Sequence, residues 1–534
     1  MSLIIKRKEG EKMNQYLLAL DAGTGSIRAV LFDTNGNQIY CAQREWTHAE
    51  DSRWPGSMDF DWKNNWKLTC ECTRELMDRA KVDPTEIKAI STTCMREGIV
   101  LYDNEGKEEW ACANVDSRST DEVVSLIKNH PDLEKKVYQV SGQSFALNAI
   151  PRLLWIKNNM PEIYQKISKL GMFNDWLAYR LTGKLAIEPS NGSTTGLMNL
   201  QTRNWDLEIA EMCGIRTDIF PDVLENGDML GQVTEKASEE TGLPLGLPVI
   251  VGGGDCQLGS LGVGVTKPGQ VAVFGGSFWQ YEVVTDQALT DKDCRVRVNC
   301  HALPNLWQYE ALAFKPGMVM RWFRDGFCQK EKEDAEKLGL DPYNLLNEKA
   351  EEIPVGSYGM SCCFSYIMNF TNWKHASPAF INFNLDSLKF NKYTFYRAIL
   401  ENTAYLVKGH IEMVKNISGF EPDFLTFAGG AAKSPLWAQI LADVTNKTVR
   451  VPEVKEATAL GAALLAGLGV GIYESIEEAV GQSVRWAAEY KPNLENFKKY
   501  QQEYVKWRKI YKHILQLSDK GVTNYMWSAP GIGE

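Results

Sequence analysis

At Asp21-Ala22-Gly23-Thr24-Gly25-Ser26 an acid ends one apolar run, LLAL, and a second apolar run, AVLFD, begins almost at once. Backbone amides and the Thr24 and Ser26 hydroxyls of such a turn can face phosphate oxygens, with Asp21 beside them to hold Mg2+ directly or through water. The common glycine-rich nucleotide turns do not fit. A dinucleotide fingerprint would place a third glycine at position 28, where the chain has Arg28, and would continue as a helix. A Walker loop is absent as well, since no Gly-x4-Gly-Lys-Ser/Thr occurs. What remains is a hairpin able to grip a nucleotide.

A second acid, Asp255, follows three glycines at the end of the apolar run LPVIV. An aspartate is a poor base in bulk water, with a pKa of about 4. It can nonetheless orient a substrate hydroxyl and accept its proton late in a phosphoryl transfer, and Gly252, Gly253 and Gly254 leave room for substrate and phosphate. Arg96-Glu97, placed after the apolar run IKAISTT, offers donors and acceptors to neighbouring substrate oxygens. Gly275-Gly276-Ser277 provides a second clasp, and Gly429-Gly430 ends another apolar run where a flat base could approach the backbone. Ser434-Pro435 then reads as a helix N-cap with a first-turn proline.

The elements that must position these groups follow from periodicity. Tyr16 to Leu20, Ile27 to Phe32 and Gln38 to Arg44 predict a three-stranded antiparallel meander, and Asp61 to Ala80 predicts a helix. From Pro151 to Leu181 the pattern is mostly helical, and Pro189 to Gly196 reads as a Ser/Thr/Asn/Gly loop of the kind that edges clefts. Residues 270 to 284 repeat the strand, glycine turn, strand pattern of residues 17 to 33, which predicts two domains on one plan with a boundary near 256 to 268. Helices near Pro316 to Phe327 and Tyr393 to Lys415 precede strand FLTFAGG, helix SPLWAQILADVT, strand TVRVP and helix ATALGAALLAGLG. Such alternation predicts a covered α/β sheet.

Composition sets the limits. The chain has 534 residues, too many for one hydrophobic core, so two domains and a cleft are expected. Its net charge of -10 leaves no basic surplus for nucleic acid or an anionic membrane, so any anion must be bound locally. Twelve cysteines without a CxxC pair, and six histidines, argue against zinc and fit a reducing, cytoplasmic setting. In MSLIIKRKEGEKMNQ the apolar residues precede the charges, the reverse of a signal peptide.

Taken together, these motifs resemble the FGGY carbohydrate kinases, on the ribonuclease H-like fold of actin and hexokinase, from about Tyr16 to Trp486. The resemblance implies an α/β protein of two such domains with a catalytic cleft between them. Residues 14–258 would carry the substrate site and base, residues 259–484 the nucleotide site, and residues 485–534 a helical tail. It implies ATP and Mg2+ as cofactors, Asp21 as the metal's residue and Asp255 as the base. Arg96, Glu97, Asp116, Trp279 and Asp255 are implied at the substrate. Gly23, Thr24, Gly25, Ser26, Gly275, Gly276, Ser277, Gly317, Gly429, Gly430 and Ser434 are implied at the nucleotide.

Two departures from the family pattern bear on the substrate: Val115 stands where several polyol kinases have tryptophan, and Gly276 stands for a common threonine. Within the family, MREGIVLYDNEG, WACANVD, AIPRLLWI, DWLAY, VKEATALG and VRVN are together similar to kinases of a quorum-sensing signal, linear 4,5-dihydroxy-2,3-pentanedione, acting on its C5 hydroxyl. That similarity implies the phosphocarrier protein HPr as a candidate partner. The alternatives are a pentulose kinase such as a xylulokinase, an ATPase switch of the actin or chaperone type, and a sugar sensor without turnover.

Overall fold

The computed structural model describes residues 14–530 and residue 532. The reading of the amino terminus as lacking a signal peptide concerns residues 1–13, which lie outside the described residues, as do 531, 533 and 534 of the expected tail.

Two sheets organise the chain. In the first, strands run in the order Met229–Gln232, Pro248–Gly254, Ile87–Cys94, Tyr16–Ala22, Ser26–Asp33 and Gln38–Glu45. The last three form the expected antiparallel meander, while Tyr16–Ala22 lies parallel to Ile87–Cys94. Every residue of Tyr16–Ala22 is buried, which explains an unbroken apolar run where an edge strand would alternate. In the second sheet the order is Arg297–Cys300, Trp307–Ala313, Trp279–Thr285, Val271–Gly275, Phe424–Ala428, Thr448–Pro452 and Trp486–Tyr490. Again an antiparallel meander adjoins two parallel strands and one final antiparallel strand. The hairpin echo in the sequence is thus a repeated sheet plan.

Between the sheets lie the helices Asp255–Gly262 and Ala457–Gly469. Their glycines bring backbone onto backbone: a Cβ on Gly461 would sit 1.9 Å from the Leu258 carbonyl oxygen, and one on Gly262 1.8 Å from that of Ala457. Leu258, Leu261 and Ala459 to Ala466 share one apolar cluster with Leu17, Ala19, Val30 and Phe32 of the first sheet. The small-residue helix from the C-terminal half therefore packs on the N-terminal sheet.

Two expectations are corrected. Pro189 to Gly196 does not edge the cleft; it forms a short helix, Pro189–Gly192, and a 3-10 turn, Ser193–Thr195, all buried. Its polar side chains serve internal hydrogen bonds, so its composition mimics a loop. The stretch from Pro151 to Leu181 is mostly helical, as expected, with strand Lys169–Met172 between its helices. The segment 485–534 is not simply a helical tail. Trp486–Tyr490 completes the second sheet, helix Leu494–Asp519 buries Tyr500, Trp507 and Tyr511 in the main core, and Trp527–Ser528 pairs with Lys374–His375.

Candidate functional site

A cavity of about 800 Å³ opens between the two halves, with Asp255, Arg96 and Glu97 in its wall. Asp255 is the first residue of helix Asp255–Gly262, and its carboxylate accepts from the Cys256 amide at 2.8 Å. Although 38% of its side chain faces the cleft, burial of the surroundings raises its pKa; Arg96 opposes the rise and Glu97 adds to it. The three glycines before it serve packing more than ligand approach. A Cβ on Gly252 would meet the Thr92 carbonyl oxygen at 1.6 Å and one on Gly253 the Ser190 hydroxyl at 2.4 Å.

The buried turn after Glu188 holds this strand end. The Glu188 carboxylate accepts from the amides of Ser190 and Asn191 and from the side-chain amides of Asn174 and Asn226. The Ser190 hydroxyl in turn accepts from the Gly254 amide at 3.2 Å. Asp255 thus stands on a polar platform that composition alone had disguised as a surface loop.

Arg96 and Glu97 sit within a network of charges drawn from both halves. Arg96 binds Glu310 with both terminal nitrogens, one at 3.0 Å, while its Nε lies 3.3 Å from Asp255 Oδ1. Arg297 donates to Glu97 Oε1 and, at 2.7 Å, to Gln143. Burial works against the Glu310 carboxylate, yet the Arg96 and Arg297 guanidiniums together hold it below its ordinary range. Neighbouring Glu282, accepting from Gln308 at 2.7 Å, is pushed well up by burial and by Glu310. The charges of Arg96, Glu97 and Asp255 are thereby held in fixed positions in the cavity wall.

Two expected substrate contacts are placed differently. Asp116 lies in the cavity wall, but its carboxylate is fully buried and spent on Arg118 and the Met58 amide, so it braces the loop that presents Asn114 and Val115. Trp279 is 1% exposed and packs on Phe427 and Trp437. Strand parity is the reason: on Trp279–Thr285 the odd positions face the core, whereas Gln280 and the preceding Phe278 line the cavity. The facing strand does likewise with Glu310, Leu312 and then Phe314. Val115, half exposed, borders the cavity as the sequence suggested.

On the C-terminal half a separate pocket of about 390 Å³ is lined by Gly275, Gly276, Ser277, Gly317, Gly430 and Ser434. Gly317 needs to be glycine because a Cβ there would lie 2.2 Å from the Gly276 carbonyl oxygen. Gly429, at φ +88°, backs the pocket against Gly275. Ser434 caps helix Pro435–Thr445 by accepting from the Trp437 amide at 3.2 Å. Arg321, Arg324, Tyr343, Asn347, Lys433 and Trp437 are among the other lining residues, none of them singled out from the sequence.

The turn Gly23 to Ser26 does not line this pocket and belongs to the opposite side of the cleft. Trp46 donates to the carbonyls of Gly23 and Thr24, and Thr24 donates to Asn114 at 3.3 Å, which ties the turn to the larger cavity. Gly25 is open, whereas Ser26 is a buried strand residue whose carbonyl accepts from the Gly23 amide. Asp21 is buried; desolvation raises its pKa to about 7, Arg28 counteracts, and the nearby Asp255 charge adds to the rise. Two carboxylates that disfavour each other's charge fit a divalent cation between them. Among the described residues no group of three His, Cys, Asp or Glu could hold a metal alone.

Residues 16–262 match the N-terminal domain, and residues 284–470 the C-terminal domain, of the FGGY family of carbohydrate kinases. The chain belongs to that family. It is 49% identical over 518 residues to the autoinducer-2 kinase of Salmonella paratyphi B and 50% identical to that of Yersinia enterocolitica, covering 97% of this chain and 98% of each relative. Among solved structures, xylulose kinase from Rhodospirillum rubrum superimposes with a TM-score of 0.84 at 23% identity, over 94% of this chain and 99% of that one. Plasmodium falciparum glycerol kinase with ADP gives 0.80 at 20% identity, over 93% and 98%. Among the described residues no helix is long and apolar enough to cross a membrane.

Proposed function

We propose that this protein is an ATP-dependent autoinducer-2 kinase that phosphorylates the C5 hydroxyl of linear 4,5-dihydroxy-2,3-pentanedione. The observation that carries the reading is identity at about half of all positions, over 97% of the chain, to autoinducer-2 kinases. In this reading ATP enters the pocket of Gly275, Gly276, Gly317 and Gly430, and its terminal phosphate points across the cleft toward Thr24 and Gly25. Bound Mg2+, held by Asp21 directly or through water, would offset the charge of the phosphates.

Asp255 orients the primary hydroxyl and takes its proton as the new P–O bond forms. Its raised pKa improves it as an acceptor, and Arg96 keeps its anion accessible. Arg96 and Glu97 face the vicinal oxygens, with Arg297 and Glu310 fixing their positions. Closing of residues 14–258 on the C-terminal half would exclude water from the transferring group. HPr and a cytoplasmic location are retained as proposals; titrating HPr into the kinase assay tests the first. The function itself is tested by competition, with ATP, the diketone and xylulose offered together and the phosphorylated product identified.

A further inference from the structure

Four residues of the far C-terminus, Trp527 to Pro530, line the same cavity as Asp255. They lie well beyond residue 470, where the family match ends. The segment is fixed in place: the Met526 amide donates to the His375 carbonyl at 2.9 Å and the Ala529 amide to that of Trp373 at 2.8 Å. Trp527 packs on Phe314 at 4.8 Å and edge-on against Trp373 at 5.2 Å between ring centroids. Phe278 meets Phe314 edge-on at 5.5 Å.

The cavity is therefore polar at one end and apolar at the other. Glu310, Leu312 and Phe314 mark this along one strand face; Gln280, which donates to Cys256 Sγ beside Asp255, is paired with Leu312, two residues or about 7 Å of strand from Phe314. At the Glu310 end stand Arg96, Glu97 and Asp255. At the Phe314 end stand Phe278, Met368, Trp373, Trp527 and Pro530. The polar members of this side are Ser528 and Lys315, whose ammonium lies over the Phe314 ring at 4.7 Å.

We infer that the C-terminal segment Trp527–Pro530 is a specificity element that receives the methyl end of the substrate. The inference rests on the reading of the substrate as dihydroxy-pentanedione. With the C5 hydroxyl at Asp255, the other terminus of that molecule is a methyl group, whereas xylulose, ribulose and glycerol end in hydroxymethyl. The apolar wall of Phe278, Trp373 and Trp527 gains from the methyl, whereas a hydroxyl there loses water and must turn to Ser528 or Lys315 for a partner. Discrimination built on one such group is about 10- to 200-fold.

The test compares kcat/KM for the diketone and for xylulose in wild type, Trp527→Ala and Pro530→Ser, with KM for ATP measured alongside. Expected is a fall of about 10-fold or more for the diketone in Trp527→Ala, a smaller loss for xylulose and an unchanged KM for ATP, so that the preference collapses. Pro530→Ser, which adds a hydroxyl to the wall, should move the ratio the same way by a few-fold, and it decides the matter if Trp527→Ala does not fold. Equal losses for both substrates, or an unchanged ratio in a wild type that prefers the diketone, overturn the inference alone. A wild type that prefers xylulose overturns the reading of the substrate, and the inference with it.

Discussion

In the proposed reaction Asp255 is the base. Asp255→Asn keeps nearly the same shape but cannot take a proton, so kcat should fall by about 10²-fold or more while ATP still binds. Steady-state rates beside an ATP-binding titration check this, and near-normal turnover would remove Asp255 from the role of base. Asp21 makes a different prediction. Because its pKa of about 7 lies above the ordinary carboxylate value, the folded protein retains a proton that the unfolded chain has already lost in this range. Its contribution to stability is thus present at low pH and lost as pH rises through 7. A cation must displace that proton, so apparent Mg2+ affinity should climb by up to about tenfold per pH unit below 7 and level off above it. Mg2+ titrations of activity across pH, in wild type and Asp21→Asn, read this out; equal slopes in the two would contradict it. That Asp255, Arg96 and Glu97 share one cavity was legible, because an acid and an Arg-Glu pair at the ends of apolar runs are local signals. Glu310 was not, since it meets Arg96 from 214 positions away. Trp279 was misread because strand parity, fixed only by the pairing register, sends it to the core and Phe278 to the cavity.

At the scale of elements, the helix Ala457–Gly469 was visible as a small-residue pattern, but its partner was not. Its glycines look like a weakness in a helix, since alanine is about 1 kcal/mol better there. Packing reverses the sign at Gly461, where an added Cβ would strike the Leu258 carbonyl oxygen. Overpacking against rigid backbone costs about 1–3 kcal/mol, more than the propensity gain. Gly461→Ala should therefore lower stability in urea unfolding by about 1–2 kcal/mol net; a stabilised variant would mean the two helices are not locked by backbone contact. The Pro189 to Gly196 stretch was illegible for a related reason. Ser, Thr, Asn and Gly suit an exposed turn and a buried hydrogen-bonded one equally, and only the placement of Glu188 and Gly254 around it distinguishes the two.

For the whole molecule, the two-sheet plan was readable because each sheet begins with a hairpin of apolar runs around a glycine turn. The way the chain closes on itself was not: the last described residues return to the cavity through a two-residue strand that periodicity cannot register. That return joins the core of the second sheet to the cavity of Asp255 and, in the proposed reading, gives the substrate site an apolar end that a polyol does not need. The competition assay tests the resulting account most directly. With ATP, dihydroxy-pentanedione and xylulose supplied together at equal concentration, the account predicts the diketone's C5 phosphate, identified by phosphorus-proton coupling to a CH2 group, in excess over xylulose phosphate by at least about 10²-fold. A product mixture led by xylulose phosphate, or a diketone phosphorylated at C4, would contradict it.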